Sequence, residues 1–149
     1  MKITKVSEID EKREFLDLLL LADEQENMIE KYLGRGELFA LYDEDLKTVC
    51  IVSDEGDGVF EIQSLATYEK DQGRGYGRKM VEYVCGCYGD KGSTMFVGTG
   101  DSPLTVPFYE HCGFSFSHRI KDYMLEHYDN PIIENGVQLF DKVYLKREI

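Results

Sequence analysis

The spacing of hydrophobic positions divides the first half of the chain into a strand, two helices and three further strands. Residues 2–6 predict the first strand, and residues 8–22 and 24–33 predict helices because their apolar positions recur at helical spacing. Three shorter apolar runs, separated by acidic or glycine-containing turns, predict strands at 37–42, 47–53 and 59–68. The acidic turn between the first two runs predicts a hairpin.

The second half of the chain predicts two helices and three strands. Residues 75–88 keep a helical period and predict an amphipathic helix, and residues 94–99 predict a strand. A short helix ends at Cys112, with Gly113 as its stop signal. Its start is open between Ser102-Pro103 and Pro107, because proline suits the first turn of a helix at either place. Residues 114–125 and 137–145 predict two closing strands.

The resulting order of elements is β-α-α-β-β-β-α-β-α-β-β, and no repeat or linker interrupts it. A mixed α/β sheet with helices on both faces, a three-layer αβα arrangement, is the economical way to bury these elements. We therefore predict one domain over residues 1–149.

Composition narrows the classes of partner. The formal net charge is −12 and the isoelectric point is near 4.6, so the phosphates of nucleic acids would be repelled. The N-terminus lacks the apolar core of a signal peptide, and the longest apolar run, residues 18–22, is far shorter than the roughly 20 residues of a membrane span. We expect a cytoplasmic protein with no membrane partner, whose acidic surface suits cationic molecules.

The four cysteines do not predict a metal site. Cys85 and Cys87 are too close together for the usual zinc pair, and no second pair stands at metal-binding spacing. We expect the thiols to be reduced.

The most informative segment is Gln72-Gly73-Arg74-Gly75-Tyr76-Gly77, which lies between a predicted strand and a predicted helix. Glycines leave backbone N–H groups uncovered, and the start of the following helix favours an anion at the same point. The segment lacks the Gly-Lys-Ser/Thr ending of a P-loop and the third glycine of a dinucleotide fingerprint. It predicts a phosphate or pyrophosphate cradle of another kind.

This segment resembles the Arg/Gln-x-x-Gly-x-Gly/Ala signature of the GNAT superfamily of N-acetyltransferases, at the expected place in the order of elements. A second segment, Phe108-Tyr109-Glu110-His111-Cys112-Gly113-Phe114, resembles the aromatic-Tyr-x-x-x-Gly-Phe motif of the same family. The resemblance covers essentially the whole chain and implies acetyl-CoA as the cosubstrate; the cysteine spacing has already indicated no metal.

The resemblance also implies which residues hold the cofactor. Gln72 would brace the turn, and Leu65, Ala66 and Thr67 would offer backbone groups to the pantetheine arm. The pyrophosphate would lie against the backbone amides of Gly73, Arg74, Gly75, Tyr76, Gly77 and Arg78. Asp101 stands where relatives often have an asparagine that contacts the pantetheine, and since Asp101 accepts but does not donate a hydrogen bond, Ser102 is an alternative.

Two residues are candidates for the chemistry. Tyr109 matches the position of a tyrosine that protonates the departing thiolate in many members of the family. Glu61 alternates with apolar residues on the strand that leads to the cofactor site, and is the candidate general base, acting through a water. His111 and His118 are alternatives to Glu61. No cysteine is placed to be a nucleophile, so the implied reaction is direct attack of a primary amine.

The resemblance places the acceptor side in segments that vary most between members of the family. Those segments contain Tyr32, Tyr123, Tyr128, Glu26, Glu30 and Glu126. The acceptor, a small-molecule or peptide amine and by its charge a cationic one, stays open, and so does a homodimer. Two other readings are open as well: a catalytically silent acyl-CoA-binding module and a transferase that uses a longer acyl-CoA.

Overall fold

A computed structural model describes residues 1–89 and 94–149, and the elements below are those of the described residues. The strands are β1 (Lys2–Val6), β2 (Glu37–Asp43), β3 (Asp45–Gly56), β4 (Val59–Thr67), β5 (Thr94–Gly100), β6 (Ser115–Ile120), β7 (Ile132–Glu134), β8 (Val137–Leu139) and β9 (Lys142–Glu148). The helices are α1 (Ile9–Arg13), α2 (Leu16–Ala22), α3 (Glu26–Leu33), α4 (Tyr76–Gly89), α5 (Thr105–His111) and α6 (Tyr123–His127). A 3₁₀ turn at Glu69–Asp71 precedes α4.

Seven of these strands form one mixed sheet in the order β1-β2-β3-β4-β5-β9-β6. All neighbours in it are antiparallel except β4 and β5, which run parallel because α4 carries the chain back across one face between them. β7 and β8 form a separate hairpin. The parallel pair is therefore central, and the loop that follows β4 lies at the carboxyl end of both strands.

Helices cover both faces of the sheet. Leu38 and Ala40 of β2 pack with α2 and α3, whereas Phe39 and Leu41 of the same strand pack with α4. Burial on both sides explains why β2 and β3 are continuous apolar runs instead of alternating ones. The predicted fold class, a mixed sheet between two helical layers, is confirmed. None of the helices in the described ranges combines the length and apolar character that a membrane crossing needs.

The predicted single helix over residues 8–22 is wrong, because the chain breaks into α1 and α2 at Glu14 and Phe15. Lys12 is buried, and its Nζ donates hydrogen bonds to the carbonyl oxygens of Leu33 at 3.0 Å and Gly36 at 2.6 Å. These carbonyls lie at and beyond the end of α3, where a helix leaves acceptors unpaired. The break lets Lys12 satisfy them while Phe15 enters the core.

The prediction of two long closing strands is wrong as well. Residues 114–125 form β6 and then α6, because Asp122 adopts a left-handed φ of 57° that ends the extended segment. The N–H of Asp122 donates to Oδ1 of Asp141 at 2.8 Å, and the N–H of Met124 donates to the carbonyl of Phe140 at 2.8 Å. These bonds fix α6 against the segment that precedes β9.

Residues 137–145 also divide, into β8 and the start of β9. β7 and β8 are joined by Asn135 and Gly136, which have φ values of 50° and 78°. Positive φ at both central residues is what a two-residue hairpin turn requires, and Asn-Gly is its strongest sequence signal. The Asn-Gly signal for this hairpin is therefore present in the sequence, but the strand prediction did not use it.

Candidate active site

The sheet opens between β4 and β5. The two strands pair only from Val59 with Thr94 to Ile62 with Val97, although β4 continues to Thr67 and β5 to Gly100. Beyond Ile62 and Val97 the described strands share no ladder, so the backbone groups on their facing edges, residues 63–67 and 98–100, border a gap. Such an edge can receive a peptide-like arm as an added half-strand.

A bulge bends β4 where the opening begins. Val52 pairs with Ile62 and Ile51 pairs with Ser64, which leaves Gln63 as the extra residue. Ile62 consequently packs in the core under α4, whereas Ser64 lies beside Ile51 on the face covered by α2 and α3. The even-numbered residues of β4 therefore face α4 up to Ile62, and from Ser64 onward they face α2 and α3.

A cavity of about 540 Å³ passes through this opening. The diverging parts of β4 and β5 form its walls, α5 closes it on one face of the sheet, and α2, α3, α6 and β9 line it on the other. Its polar side chains include Asp23, Tyr32, Glu61, Tyr109, Lys142 and Tyr144. The structure therefore brings the two predicted catalytic residues, Tyr109 and Glu61, to one cavity.

Tyr109 borders the cavity from α5. Only 5% of the residue is exposed, and its ring packs edge-on against Phe108 and Phe114, with centroid distances of 5.0 and 5.8 Å. Burial raises the pKa of the Tyr109 phenol, with smaller contributions from Cys50 and Cys112. The phenol therefore keeps its proton throughout the physiological range, as a general acid must before it donates.

Glu61 lines the cavity from β4, beside Ser53 of β3. Loss of solvent raises the pKa of the Glu61 carboxyl; Lys142 lowers it, Glu55 raises it and Arg35 lowers it. A carboxylate with a raised pKa holds a proton more strongly, which suits a general base. The acid and base roles of Tyr109 and Glu61 stay predictions.

The two histidines considered as alternative bases lie outside the cavity lining. His111 is exposed at the last turn of α5, and His118 is exposed on β6, where its ring stacks on Tyr144 with a centroid distance of 4.6 Å. Their positions favour Glu61.

The glycine turn before α4 has the backbone form that an anion cradle needs. Gly73 and Gly75 have φ values of 76° and 87°, and a Cβ at either position would meet no protein atom within 4 Å. The carbonyl of Gly75 accepts a helical hydrogen bond from the N–H of Lys79 at 3.1 Å. The N–H groups of residues 76–78 therefore belong to the first helical turn, whose donors have no partner inside the helix.

Side chains on either side of the turn fix its shape. Gln72 donates through Nε2 to the carbonyl of Thr67 at 3.1 Å, which ties the turn to the end of β4. Arg74 donates to Oδ1 of Asp71 at 3.1 Å, and its guanidinium lies 5.3 Å from the ring centroid of Tyr76. Because the Arg74 side chain is held by these two neighbours, its backbone is the part that forms the turn.

The remaining residues of the motif divide between the interior and the surface. Tyr76 is buried, and its hydroxyl donates to Oδ2 of Asp43 at 2.7 Å. Gly77 lies against Phe108, since a Cβ at position 77 would stand 3.3 Å from Cζ of that ring. Arg78 is exposed. Tyr76 and Gly77 thus pack the start of α4 and can offer a ligand only their backbone.

The same holds for the end of β4. Leu65 packs against the core under α4, and Ala66 is buried on the opposite face. The hydroxyl of Thr67 shares a hydrogen bond of 2.8 Å with that of Thr48. With these side chains engaged, the backbone is the part of residues 65–67 that remains for the predicted pantetheine contact.

Asp101 and Ser102 hold their own loop together. Oδ1 of Asp101 accepts a hydrogen bond from the N–H of Phe140 at 3.0 Å. Oγ of Ser102 accepts hydrogen bonds from the N–H groups of Leu104 at 3.1 Å and Thr105 at 3.3 Å, so Ser102 caps the turn before α5 and Pro107 lies inside that helix. Their predicted contacts with the cofactor stay predictions, and neither residue lines the cavity.

The predicted acceptor side is brought together only in part. Tyr32, Tyr123 and Tyr128 line the cavity, whereas Glu26, Glu30 and Glu126 do not. Glu30 forms a salt bridge with Arg13 on the outer surface instead. The resemblance assigned the tyrosines and the glutamates to the same segments, but it did not distinguish the side chains that line the cavity from those on the outer surface.

Sequence reasoning missed Asp23 and Lys142. Oδ1 of Asp23 accepts a hydrogen bond of 2.9 Å from Tyr128, and Oδ2 accepts a longer one of 3.5 Å from Tyr32. Burial raises the pKa of Asp23, and the hydroxyls of Tyr128 and Tyr32 oppose that rise. Asp23 and Tyr128 are 105 positions apart, and no motif in the sequence links them.

None of the four cysteines lines the cavity. Cys50, Cys85 and Cys112 are buried, and burial raises the pKa of the Cys85 thiol to about 11. Among residues 1–89 and 94–149, no group of three or more His, Cys, Asp or Glu side chains is arranged to hold a metal ion.

Comparison with known proteins shows the family to which the chain is similar. Residues 34–116 match the model of the acetyltransferase (GNAT) domain. The chain is 34% identical over 135 residues to an uncharacterized N-acetyltransferase, YvbK, of Bacillus subtilis strain 168, and the match covers 89% of this chain and 87% of the relative.

Solved structures with the same fold include two that hold the cofactor. An IAA acetyltransferase from Bacillus cereus has a TM-score of 0.90 and 30% identity over 99% of both chains. An acetyltransferase from Bacillus subtilis in complex with CoA has a TM-score of 0.88 and 31% identity, covering 99% of this chain and 98% of its own. A GNAT family acetyltransferase from Elizabethkingia anophelis with acetyl-CoA bound has a TM-score of 0.89 and 29% identity over the same shares. The predicted family is confirmed: the chain belongs to the GNAT family of acetyltransferases.

Proposed function

We propose that the protein transfers the acetyl group of acetyl-CoA to a primary amine by direct attack. The observation that carries this proposal is the cavity through the β4–β5 opening, which reaches the buried phenol of Tyr109 on one face of the sheet and the Glu61 carboxylate on the other. An acid and a base separated by such a passage can serve the leaving group and the attacking group of one reaction.

Acetyl-CoA fits the parts of the site that surround the opening. The glycine turn presents open backbone at Gly73 and Gly75 next to the start of α4, which suits a pyrophosphate. The unpaired edges at residues 63–67 and 98–100 suit the two amide groups of pantetheine. Relatives of similar structure bind CoA and acetyl-CoA, which supports the same cosubstrate here.

The chemistry needs two proton transfers and no covalent enzyme intermediate. The amine nitrogen attacks the thioester carbonyl, the carbon–sulfur bond breaks, and the thiolate of CoA leaves. Glu61 takes the proton that the amine nitrogen loses, through a water, and Tyr109 donates a proton to the sulfur. The buried cysteines, whose thiols are held protonated by burial, support direct attack over an acyl-cysteine route.

The acceptor we favour is a cationic amine. The net charge of −12 gives the molecule a field that concentrates cations. The carboxylates of Asp23, Glu24 and Glu134 line the same cavity as Glu61. A small molecule or a peptide that carries a second positive charge would complement them.

A thiol-release assay with a panel of primary amines tests the proposal. We expect free CoA to appear at a rate that depends on both acetyl-CoA and the amine, with the acetylated amine as the second product. Thiol release that ignores the amine would contradict acetyl transfer. CoA binding without any release would instead support a silent acyl-CoA-binding module, and faster turnover of propionyl-CoA or butyryl-CoA would support a longer-chain transferase.

A further inference from the structure

Lys142 lines the cavity, and its ammonium lies against two aromatic rings. It is the first residue of β9 and pairs with Gly100 of β5 and Ile120 of β6. Its Nζ lies 4.7 Å from the ring centroid of Tyr123 and 4.9 Å from that of Tyr144. All three side chains line the cavity. Contacts of this kind hold an ammonium in place without neutralising it.

Gly98 provides the space for this arrangement. A Cβ at position 98 would stand 2.4 Å from Cε of Lys142 and 2.9 Å from Cε1 of Tyr144. The Lys142 side chain therefore lies directly over β5, at the first residue beyond the paired part of β4 and β5. A glycine on this strand brings a lysine ammonium to the opening.

The charges around Lys142 leave it without an ion-pair partner in the described part of the chain. Glu61 of β4 and Asp23 after α2 both feel its charge, which lowers the pKa of each carboxyl against the larger effect of burial. Other charged groups nearby are engaged elsewhere: Glu55 pairs with Arg35 at 2.7 Å and Asp141 pairs with Arg119 at 2.6 Å.

Three further charged residues belong to the cavity lining. Glu134 of β7, Glu24 before α3 and Lys31 of α3 also line the cavity, and Lys31 is exposed. His118 of β6 stacks on Tyr144 from outside. Lys142 is therefore the half-buried cation that faces Glu61 among the described residues.

We propose that Lys142 is a positioning residue whose fixed positive charge keeps Glu61 ionised and the acceptor amine uncharged at neutral pH. The proposal rests on the acetyltransferase function proposed above. An ordinary alkyl ammonium has a pKa of about 10.4, so only about one molecule in a thousand is neutral at about pH 7.4. A neighbouring ammonium disfavours a second positive charge, which is how a cationic neighbour activates an amine nucleophile.

The test compares three variants in pH–rate profiles of kcat/KM for the best amine at saturating acetyl-CoA. Lys142→Met removes the charge and keeps most of the side chain, and Lys142→Arg keeps the charge. Lys146→Met removes an exposed charge of the same strand that lies outside the cavity lining. We expect Lys142→Met to lose about tenfold near pH 7, the effect of about one pKa unit, and to approach the parent protein near pH 10. Lys142→Arg and Lys146→Met should keep the parent profile.

A loss in Lys142→Met that is equal at every pH would overturn the proposal, since it would leave only a packing role. Acetylation of Lys142 itself during turnover would overturn it as well, because an amide carries no charge. If Lys142→Met unfolds, Lys142→Gln gives the same comparison.

A measurement without turnover separates this proposal from the proposed function. The titration of the Glu61 carboxyl, followed by NMR in the free protein, should move to higher pH in Lys142→Met and stay in place in Lys146→Met. An unmoved Glu61 titration in Lys142→Met would overturn the role of Lys142 even if acetyl transfer is established. Absence of amine-dependent thiol release from the parent protein would overturn the proposed function instead.

Discussion

Gly77 and Phe108 touch across the two helices that carry the two sequence motifs. A Cβ on Gly77 would stand 3.3 Å from Cζ of Phe108 and 3.9 Å from Cδ2 of Leu65. The first turn of α4 therefore packs tightly against α5 and is in ordinary van der Waals contact with β4. Because Tyr109 follows Phe108 directly, this contact also fixes the place of the proposed acid relative to the proposed phosphate cradle.

Replacing Gly77 tests that contact. Gly77→Val should lower the free energy of unfolding by about 1–3 kcal/mol, the usual range for an overpacked site. Gly77→Ala should stay near the parent value, because the gain of about 1 kcal/mol in helix propensity offsets a contact that is tight by a few tenths of an ångström. Urea unfolding measures both. A Phe108→Leu change should restore part of the loss in Gly77→Val, and full additivity of the two changes would contradict the contact.

The anion cradle is tested at Gly75 with Gly56 as the matched control. Both glycines have a φ of 87°, and neither would meet a protein atom within 4 Å if it carried a Cβ. Valine at either position should impose the same backbone strain, about 1–2 kcal/mol. Only Gly75→Val should also place a side chain against the bound pyrophosphate, so we expect a loss of acetyl-CoA affinity of more than about tenfold, with unchanged affinity in Gly56→Val.

Calorimetric titration with acetyl-CoA makes this comparison directly. Equal affinities in the two valine variants would contradict the assignment of the glycine turn as the phosphate cradle, whatever the stability of the proteins.

The Glu61 carboxylate should lower the stability of the folded protein near pH 7 while it supports activity there. Its pKa is raised by loss of solvent, so the folded chain binds this proton more tightly than the unfolded chain does. The stability that this group contributes is fully present below the unfolded pKa and is lost as pH rises through the folded pKa. Glu61→Gln should therefore be more stable than the parent near pH 7, by about 0.5–2 kcal/mol, and the difference should vanish near pH 4.

The same variant should be slower where a base is needed. We expect Glu61→Gln to lose about 10²-fold in kcat/KM near pH 7 and to recover toward the parent rate near pH 10, where the amine is neutral without help. Glu110→Gln, which changes an exposed carboxylate of α5 outside the cavity lining, serves as the control for both measurements. A destabilised Glu61→Gln with a pH-independent rate loss would contradict the assignment.

The charge of the acceptor is tested by salt. If the acidic surface concentrates cationic amines, kcat/KM for a diamine should fall as ionic strength rises, because the screening length shortens to about 10 Å at 0.1 M. The measurement needs saturating acetyl-CoA, since binding of the polyanionic cosubstrate responds to salt in the opposite direction. An amino alcohol of the same length, which carries one positive charge where the diamine carries two, is the control substrate. An equal salt response for both would contradict the preference.

The sequence predicted the parts of the site whose form is set locally. Positive φ at Gly73 and Gly75 follows from residue type and spacing, and the amphipathic period of residues 75–88 leads to α4 in nearly the observed place. The break between α1 and α2 was not predictable in this way. It depends on Lys12 reaching carbonyls that are 21 and 24 positions away, a contact that exists only after α3 has packed.

The acceptor side of the cavity shows the same limit more strongly. Asp23 meets Tyr128 across 105 positions, and Lys142 reaches the opening because Gly98 lies opposite Tyr144 on the neighbouring strand. The spacing of apolar and polar residues along the chain does not predict either contact. The bulge at Gln63 changes which residues of β4 face each side of the sheet. The alternation of polar and apolar residues along the strand does not reveal it.

Tyr109→Phe tests the central claim, acetyl transfer with a phenol as the acid, most directly. The change removes one hydroxyl and keeps the ring that packs against Phe108 and Phe114. General-acid assistance is worth about 10²–10⁴ in rate, and because a thiolate leaves readily, the lower end applies. In steady-state kinetics with acetyl-CoA binding measured separately, we predict a loss of about 100-fold in kcat with the Kd for acetyl-CoA nearly unchanged. Full activity of Tyr109→Phe across the pH range would contradict the account.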